Sequence, residues 1–129
     1  MREQNVPTEA VEQTRLLQWA RMSSGAHPEL AMLYHIPNEG KRSAALGARM
    51  RDAGLKSGVP DLCLPVARGG KHGLYIELKR MRGGKVSEAQ AGWIDALNAQ
   101  GYAAMVCRGW EEAAEEIRRY LQGERRAKS

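Results

Sequence analysis

The sequence predicts an α/β fold in which one helix is followed by three strands, a helix, a strand and a final helix. Two observations support this order. Apolar residues recur at helical spacing near the N-terminus and in two segments of the C-terminal half, and short apolar runs bounded by glycine or proline separate them. The chain has 129 residues, which is the usual size of one domain. We expect a domain over residues 9–121, an N-terminal tail over residues 1–8 and a basic C-terminal tail over residues 122–129.

The first half of the chain begins with a predicted helix. Thr8 is a suitable N-cap, and apolar residues at helical spacing continue to about Ser23. A short strand is expected over residues 32–35. Residues 42–53 are compatible with either a helical turn or a basic loop, closed in both cases by Gly54.

The second half contains the remaining elements. Two strands are predicted over residues 61–66 and 74–78, joined by a glycine-rich hairpin connection. A helix over residues 87–100 should end at Gly101, because glycine favours the backbone conformation that terminates a helix. A strand over residues 102–107 and an amphipathic helix over residues 110–121 complete the chain.

Acidic residues lie at two points of the predicted strands. Asp61 follows the turn Gly-Val-Pro, and Glu77 and Lys79 alternate with apolar residues in the next strand, so they should share one face of the sheet. Two carboxylates from adjacent strands form an oxygen-rich cavity suited to Mg²⁺. A neighbouring ammonium group can orient a nucleophile or offset developing charge. This combination predicts hydrolysis of phosphodiester bonds in DNA.

Each of these residues also has a structural explanation. Aspartate after proline is common in turns, where its side chain forms local hydrogen bonds. Glu77 and Lys79 are compatible with the exposed face of a half-polar strand that carries a weak ion pair. Their combination with residues 58–61 in the expected strand order favours the catalytic interpretation.

The motifs around these residues resemble a known family. Residues 58–61 (Gly-Val-Pro-Asp) with residues 76–79 (Ile-Glu-Leu-Lys) resemble the PD-(D/E)XK signature of the restriction-endonuclease-like superfamily. Residues 35–40, the Gly-x-x-x-Gly-Val-Pro-Asp run from Gly54, and Ser-x-x-Gln after Gly84-Lys85 narrow this resemblance to stand-alone VRR-NUC domain nucleases. It spans residues 9–121 and implies an αβββαβ core with an additional C-terminal helix. It also implies a Mg²⁺ cofactor for which Mn²⁺ substitutes.

The resemblance assigns roles to particular residues. Asp61 and Glu77 would bind the metal, with the carbonyl of Leu78 as a further ligand, and Lys79 would orient or activate the nucleophile. Glu12 would hold a second metal or its water, because the family has an acidic residue on the first helix followed by glutamine.

Helical spacing places Glu12 close to the apolar face of the first helix. An inward-facing carboxylate requires a metal or another cation as its partner. Pairing at the rim with Arg15 is equally compatible with the periodicity. Glu9 takes the metal role if the helical register differs.

Gln90 and His35 have supporting roles with two explanations each. Ser87-x-x-Gln90 is a capping box, in which the glutamine returns to the N-cap amide; the resemblance instead places this glutamine near the active site. His35 is either a phosphate contact or general acid, or an ordinary residue at a strand end.

Basic residues between the first strand and the Pro-Asp turn are the candidate DNA contacts. Lysine and arginine here would bind phosphates without reading bases, and no segment resembles a recognition helix. The net charge of +5 and the pI near 9.5 agree with a polyanionic partner. The candidates are Lys41, Arg42, Arg49, Arg51, Lys56 and Ser57, with Asn38 and Glu39 as shaping or ordinary turn residues.

The remaining features limit the class of protein. Cys63 and Cys107 lie in apolar runs and are expected to be reduced core thiols. No apolar run is long enough to span a membrane, and no signal peptide is visible, so we expect a cytoplasmic protein. The resemblance to compact stand-alone family members implies a bacterial or phage origin.

The predicted activity is endonuclease cleavage of branched or four-way-junction DNA. Stand-alone members of the family resemble junction-resolving enzymes, which implies a homodimer. The rings of Trp93, Trp110 and Tyr120 either contribute to that interface or complete the core. The alternatives are a monomeric nickase or flap-type nuclease, and a DNA-binding module without catalysis.

Overall fold

The computed structural model describes residues 5–37 and 44–123. The predicted order of elements is confirmed, and residues near 44–52 form a helix. The elements are α1 (Glu9–Ser23), a 3₁₀ helix (Pro28–Met32), β1 (Tyr34–His35), α2 (Ala44–Asp52), β2 (Leu62–Leu64), β3 (Leu74–Lys79), α3 (Glu88–Ala99), β4 (Ala103–Arg108) and α4 (Trp110–Leu121).

The four strands form one sheet in the order β1-β2-β3-β4. The first three are antiparallel neighbours, whereas β3 and β4 are parallel and are connected through α3. β1 is shorter than predicted, because Pro28 begins the 3₁₀ helix that occupies the preceding residues. β2 ends at Leu64, and the following Pro65 has no N–H to donate to a ladder.

The hydrophobic core lies between one face of the sheet and helices α1 and α4. Leu16 of α1 and Ile117 of α4 are fully buried in the same cluster as Ile76 and Leu78 of β3. Because side chains alternate along a strand, Glu77 points to the opposite face. Helix α3 lies over that face, where its residue Gln90 contacts Glu77.

The large aromatic rings are engaged within the chain. Tyr120 is buried, and its hydroxyl donates to the carbonyl of Val66. Trp110 packs against the core, and the Trp93 Nε1–H donates to the carbonyl of Ser57 at 3.1 Å. The positions of Tyr120 and Trp110 support the core explanation for these two rings. Trp93 is half-buried on α3 and contacts the loop before Gly58, outside the core cluster.

Two further expectations concern burial and membranes. Cys63 and Cys107 are both buried and form no disulfide, as predicted for core thiols. Val6 is also buried, so the segment before α1 contributes to the core. Within the described ranges, no helix combines the length and the apolar character needed to cross a bilayer.

Candidate active site

A glycine brings the Pro-Asp turn against helix α3. Gly58 has a φ of +89°, and a Cβ at this position would lie 2.7 Å from the backbone carbonyl carbon of Ala89. No other residue permits both the left-handed conformation and this close approach. The turn is also held by the hydrogen bond from Trp93 to Ser57. The start of α3 therefore determines where Asp61 lies.

Asp61 connects β1 and β3. Its Oδ2 accepts a hydrogen bond from the Leu78 N–H at 2.9 Å, and its backbone carbonyl accepts from the Ile36 N–H at 2.6 Å. The Nδ1 atom of His35 lies 3.1 Å from the same carbonyl. The side chain thus reaches the neighbouring strand instead of bonding locally within its own turn.

Glu77 and Lys79 are buried at the end of β3, so the exposed-strand explanation is wrong. Glu77 is 2% exposed and Lys79 is 6% exposed. The Lys79 Nζ lies 3.5 Å from the Glu77 Oε2, which is the predicted ion pair between alternate residues. Burying two charged groups costs free energy, and their mutual attraction often only offsets that cost. A contribution to stability therefore does not explain why this pair is present.

Gln90 forms the predicted capping box and also lies beside Glu77. The Gln90 side-chain Oε1 accepts a hydrogen bond from the Ser87 backbone N–H at 2.9 Å. The Gln90 backbone N–H donates to the Ser87 Oγ, which completes the capping box of α3. The Gln90 Nε2 donates to the Glu77 Oε2 at 2.9 Å. The cap of the helix therefore also orients the Glu77 carboxylate.

The surroundings of Glu77 disfavour the charged form of its carboxyl group. Burial, followed by repulsion from Asp61, raises the pKa of Glu77 to about 8 against the lowering effect of Lys79. Its Oε1 is buried and has no hydrogen-bond partner among the described residues. An unsatisfied buried carboxylate oxygen beside a second carboxylate is suited to a cation.

A cavity of about 200 Å³ opens beside this cluster. Helix α1 supplies part of its wall, and the ends of the strands supply the rest. It is lined by Glu9, Ala10, Gln13, His35, Asp61 and Leu78. The structure therefore brings His35, Asp61 and Leu78 together as the sequence predicted.

Glu12 does not line this cavity. It is 1% exposed, so its inward orientation is confirmed, but its Oε1 accepts the Trp110 N–H at the start of α4 at 2.9 Å. This bond satisfies the buried carboxylate at a helix N-terminus, where negative charge is favourable. Neither the metal role nor the pairing with Arg15 is needed to explain its burial.

Glu9 takes the place beside the cavity that was expected of Glu12. Its Oε2 lies 4.0 Å from the Lys79 Nζ, and its charge contributes to the raised pKa of Glu77. Glu9 and Gln13 are four residues apart and both line the cavity. The spacing of Glu9 and Gln13 was the signal available in the sequence. Gln13 entered the prediction only as the glutamine that follows Glu12, and not as a site residue.

The residues present are compatible with a Mg²⁺ site. Among the described residues, no group of three or more His, Cys, Asp or Glu side chains forms a ready cage for a metal. Mg²⁺ does not require one, because it commonly binds one or two carboxylates and retains several waters. Asp61 and Glu77 are the candidate ligands, with the Leu78 carbonyl and Glu9 beside them.

The candidate DNA contacts are only partly described. Lys41 and Arg42 lie outside the described residues, as do Asn38 and Glu39. The side chains of Arg49 and Arg51 are exposed on α2, and Lys56 and Ser57 are exposed in the loop that precedes Gly58. Exposure leaves these four side chains accessible to a ligand.

Two carboxylates and a lysine lie together at the ends of adjacent strands, on a fold of the restriction-endonuclease-like class. Residues 2–111 match the family model of the VRR-NUC domain. The chain therefore belongs to the VRR-NUC domain family, a family of nuclease-like modules that act on DNA.

A solved structure supports the same assignment. A protein described as "VRR_NUC domain protein" has 31% sequence identity and a TM-score of 0.78, with 92% of each chain covered. No curated protein matches the sequence.

Proposed function

We propose that this protein is an endodeoxyribonuclease that depends on Mg²⁺, with Mn²⁺ as a substitute. The observation that carries the proposal is the buried Glu77, whose Oε1 lacks a described partner while Asp61 and Lys79 lie beside it. A neutral core residue would serve stability better at this position. A divalent cation and a phosphate together match the charges of the cluster.

Each residue has a chemical role in this proposal. Asp61 and Glu77 hold the cation, which when bound polarises a phosphoryl oxygen and lowers the pKa of a water. The Lys79 ammonium provides positive charge next to the reacting phosphate. Gln90 keeps Glu77 in one orientation, and Glu9 extends the acidic cluster towards Lys79. His35, which lines the cavity, would contact a phosphate oxygen.

The finer proposal concerns the substrate and the assembly. We propose that the protein cleaves branched DNA, including four-way junctions, as a two-fold dimer that presents two sites to two strands. The support is the match of residues 2–111 to the VRR-NUC domain and the likeness to a solved VRR_NUC domain protein over 92% of each chain. Two-fold symmetry would supply one site for each of two strands. Light scattering and a panel of labelled duplex, flap and junction substrates test it. A monomer that nicks one strand favours the flap-type alternative.

The central experiment removes the proposed metal ligands one at a time. Asp61→Ala and Glu77→Ala should each abolish cleavage in Mg²⁺, while DNA binding in EDTA persists because neither carboxylate contacts phosphate directly. Asp95→Ala, an exposed carboxylate on α3, is the matched control and should cleave normally. Full activity in either ligand variant, or equal cleavage by the wild type in EDTA, contradicts the proposal.

Lys79 provides a second test, because its role is in turnover more than in metal binding. We expect Lys79→Ala to bind Mg²⁺ but to cleave at least about tenfold more slowly, since a charge-stabilising donor is worth at least that factor. Calorimetric titration of the metal and single-turnover rates separate the two effects. Unchanged rates would reduce Lys79 to a partner of Glu77.

A further inference from the structure

The loop between β3 and α3, residues 80–87, carries only positive charge. Arg80, Arg82 and Lys85 lie between Lys79 and Ser87, and no acidic residue separates them. Arg82 and Lys85 are exposed, and neither forms an ion pair with a carboxylate of the described residues. The loop is outside the basic segment that the sequence identified as the candidate DNA contact.

One arginine holds this loop in a fixed shape. Arg108 donates from Nη1 to the carbonyls of Arg80 (3.2 Å) and Gly83 (2.7 Å), and from Nη2 to the carbonyl of Gly84 (3.1 Å). Gly83 and Gly84 have φ values of +76° and +65°, a left-handed pair that brings successive carbonyls towards one guanidinium. A cationic donor with several N–H groups in a planar fork is suited to binding three carbonyls at once.

The same arginine ties the loop to the catalytic strand. Arg108 is the register partner of Lys79 in the parallel pairing of β3 and β4. The adjacent Gly109 N–H donates to the Lys79 carbonyl at 2.9 Å. The loop therefore directly follows Lys79, whose backbone is held by β4.

The loop also passes close to Glu9, which lines the cavity. A Cβ at Gly84 would lie 3.3 Å from the Glu9 Oε2, so the loop backbone passes close to the acidic cluster. At its other end, Ser87 forms the capping box with Gln90, which contacts Glu77. Both ends and the middle of the loop are thus connected to the proposed catalytic residues.

We propose that the β3–α3 loop is a phosphate-binding clamp, in which Arg82 and Lys85 contact the DNA backbone next to the cleaved bond and Arg108 positions them. This rests on the proposed function for the location of the cleaved bond. Cations without a carboxylate partner, on a loop of fixed shape beside an acidic cleft, bind phosphates with little ordering cost. They also offset the repulsion between the DNA and the carboxylates.

The dependence of DNA affinity on salt distinguishes a phosphate contact from a solvated charge. Each neutralised phosphate contributes about 0.9 to the slope of log affinity against log salt concentration. We expect Arg82→Gln with Lys85→Gln to lower the magnitude of that slope by about 2, with weaker binding at every salt concentration.

The control removes the same two residue types far from the cavity. Arg21 lies in the last turn of α1 and Lys71 lies before β3 begins, and both side chains are exposed. Arg21→Gln with Lys71→Gln should leave the slope at its wild-type value. Fluorescence anisotropy of labelled duplex DNA in EDTA measures all three proteins without cleavage. Equal slopes for the loop variant and the control variant overturn the clamp.

Arg108 is tested separately as a positioning residue. The Arg108→Gln variant keeps both Arg82 and Lys85 in the sequence. We nevertheless expect faster hydrogen exchange at the amides of residues 81–86 and weaker DNA binding. Arg108→Lys should recover part of both properties. Circular dichroism checks that the fold persists. Wild-type exchange rates in the Arg108→Gln loop overturn the positioning role.

The two proposals fail in different ways. A wild-type protein that binds DNA but never cleaves it in Mg²⁺ refutes the nuclease proposal while the salt slopes still decide the clamp. A wild-type protein without measurable DNA binding overturns the clamp directly.

Discussion

Glu9 and Glu12 are three residues apart on one helix and have different roles. Glu12 meets the N-terminus of α4, where its carboxylate accepts the Trp110 N–H. Glu9 lies one turn earlier, beside the cavity and 4.0 Å from the Lys79 Nζ. Both positions are compatible with an acidic residue near the core face of α1, so the difference depends on which neighbour each side chain meets.

This difference gives a paired prediction. Glu12→Ala should lower the free energy of unfolding by about 1–3 kcal/mol, because the Trp110 N–H loses its partner, while folded molecules still cleave DNA. Glu9→Gln should keep wild-type stability but reduce cleavage and Mg²⁺ affinity. Urea unfolding and single-turnover rates measured on both variants check this. Loss of activity in fully folded Glu12→Ala, with normal activity in Glu9→Gln, would return the metal role to Glu12.

At the scale of the elements, local signals determined most of what the sequence could predict. The bounds of α4 agree with the predicted residues 110–121, and Thr8 caps α1 as expected. These features depend on short-range periodicity and capping. The predicted ends of the strands were less accurate, because a strand continues for as long as the neighbouring strand pairs with it. β3, for example, extends to Lys79, which pairs with Arg108 of β4.

In the candidate site too, features that depend on nearby residues could be predicted, and features that depend on distant residues could not. Asp61 and Glu77 were visible as motif residues on predicted strands, and Gln90 was visible through the capping box. The partner of Glu12 was not visible, because Trp110 is 98 residues away in the chain. The hydrogen bonds from Arg108 to the β3–α3 loop could not be predicted for a related reason, since their acceptors are backbone carbonyls, which no sequence pattern identifies.

Gly58 allows a prediction about how an element positions the site. Gly54 and Gly58 both have positive φ, but only Gly58 would bring a Cβ within 2.7 Å of Ala89, whereas Gly54 has open space. Gly54→Ala should therefore cost about 1–2 kcal/mol from backbone strain alone. Gly58→Ala should cost more and should also reduce cleavage, because the turn before Asp61 must move away from α3. Thermal unfolding and cleavage rates compare the two variants, and equal effects on both measurements would contradict this explanation.

At the scale of the whole molecule, the acidic cluster links stability to pH. The pKa of Glu77 is raised from 4.5 to about 8 in the folded protein without metal. Between these values the folded state binds more protons than the unfolded state, so stability decreases as pH rises. This is the expected direction for a buried carboxyl that lacks a cation. A bound metal removes the effect, because it replaces the proton as the partner of the carboxylate.

The prediction is that metal-free wild type loses stability, relative to Glu77→Gln, as pH rises from about 5 to about 8.5. Glutamine has no proton to lose, so the difference between the two proteins isolates Glu77 from every other titrating group. Mg²⁺ should raise the wild-type melting temperature more at the upper end of this range, where no proton has to be released for the metal to bind. Scanning calorimetry in EDTA and in Mg²⁺ measures both effects. A difference between wild type and Glu77→Gln that stays constant with pH would show that Glu77 is ionised throughout the range, with a cationic partner inside the protein itself.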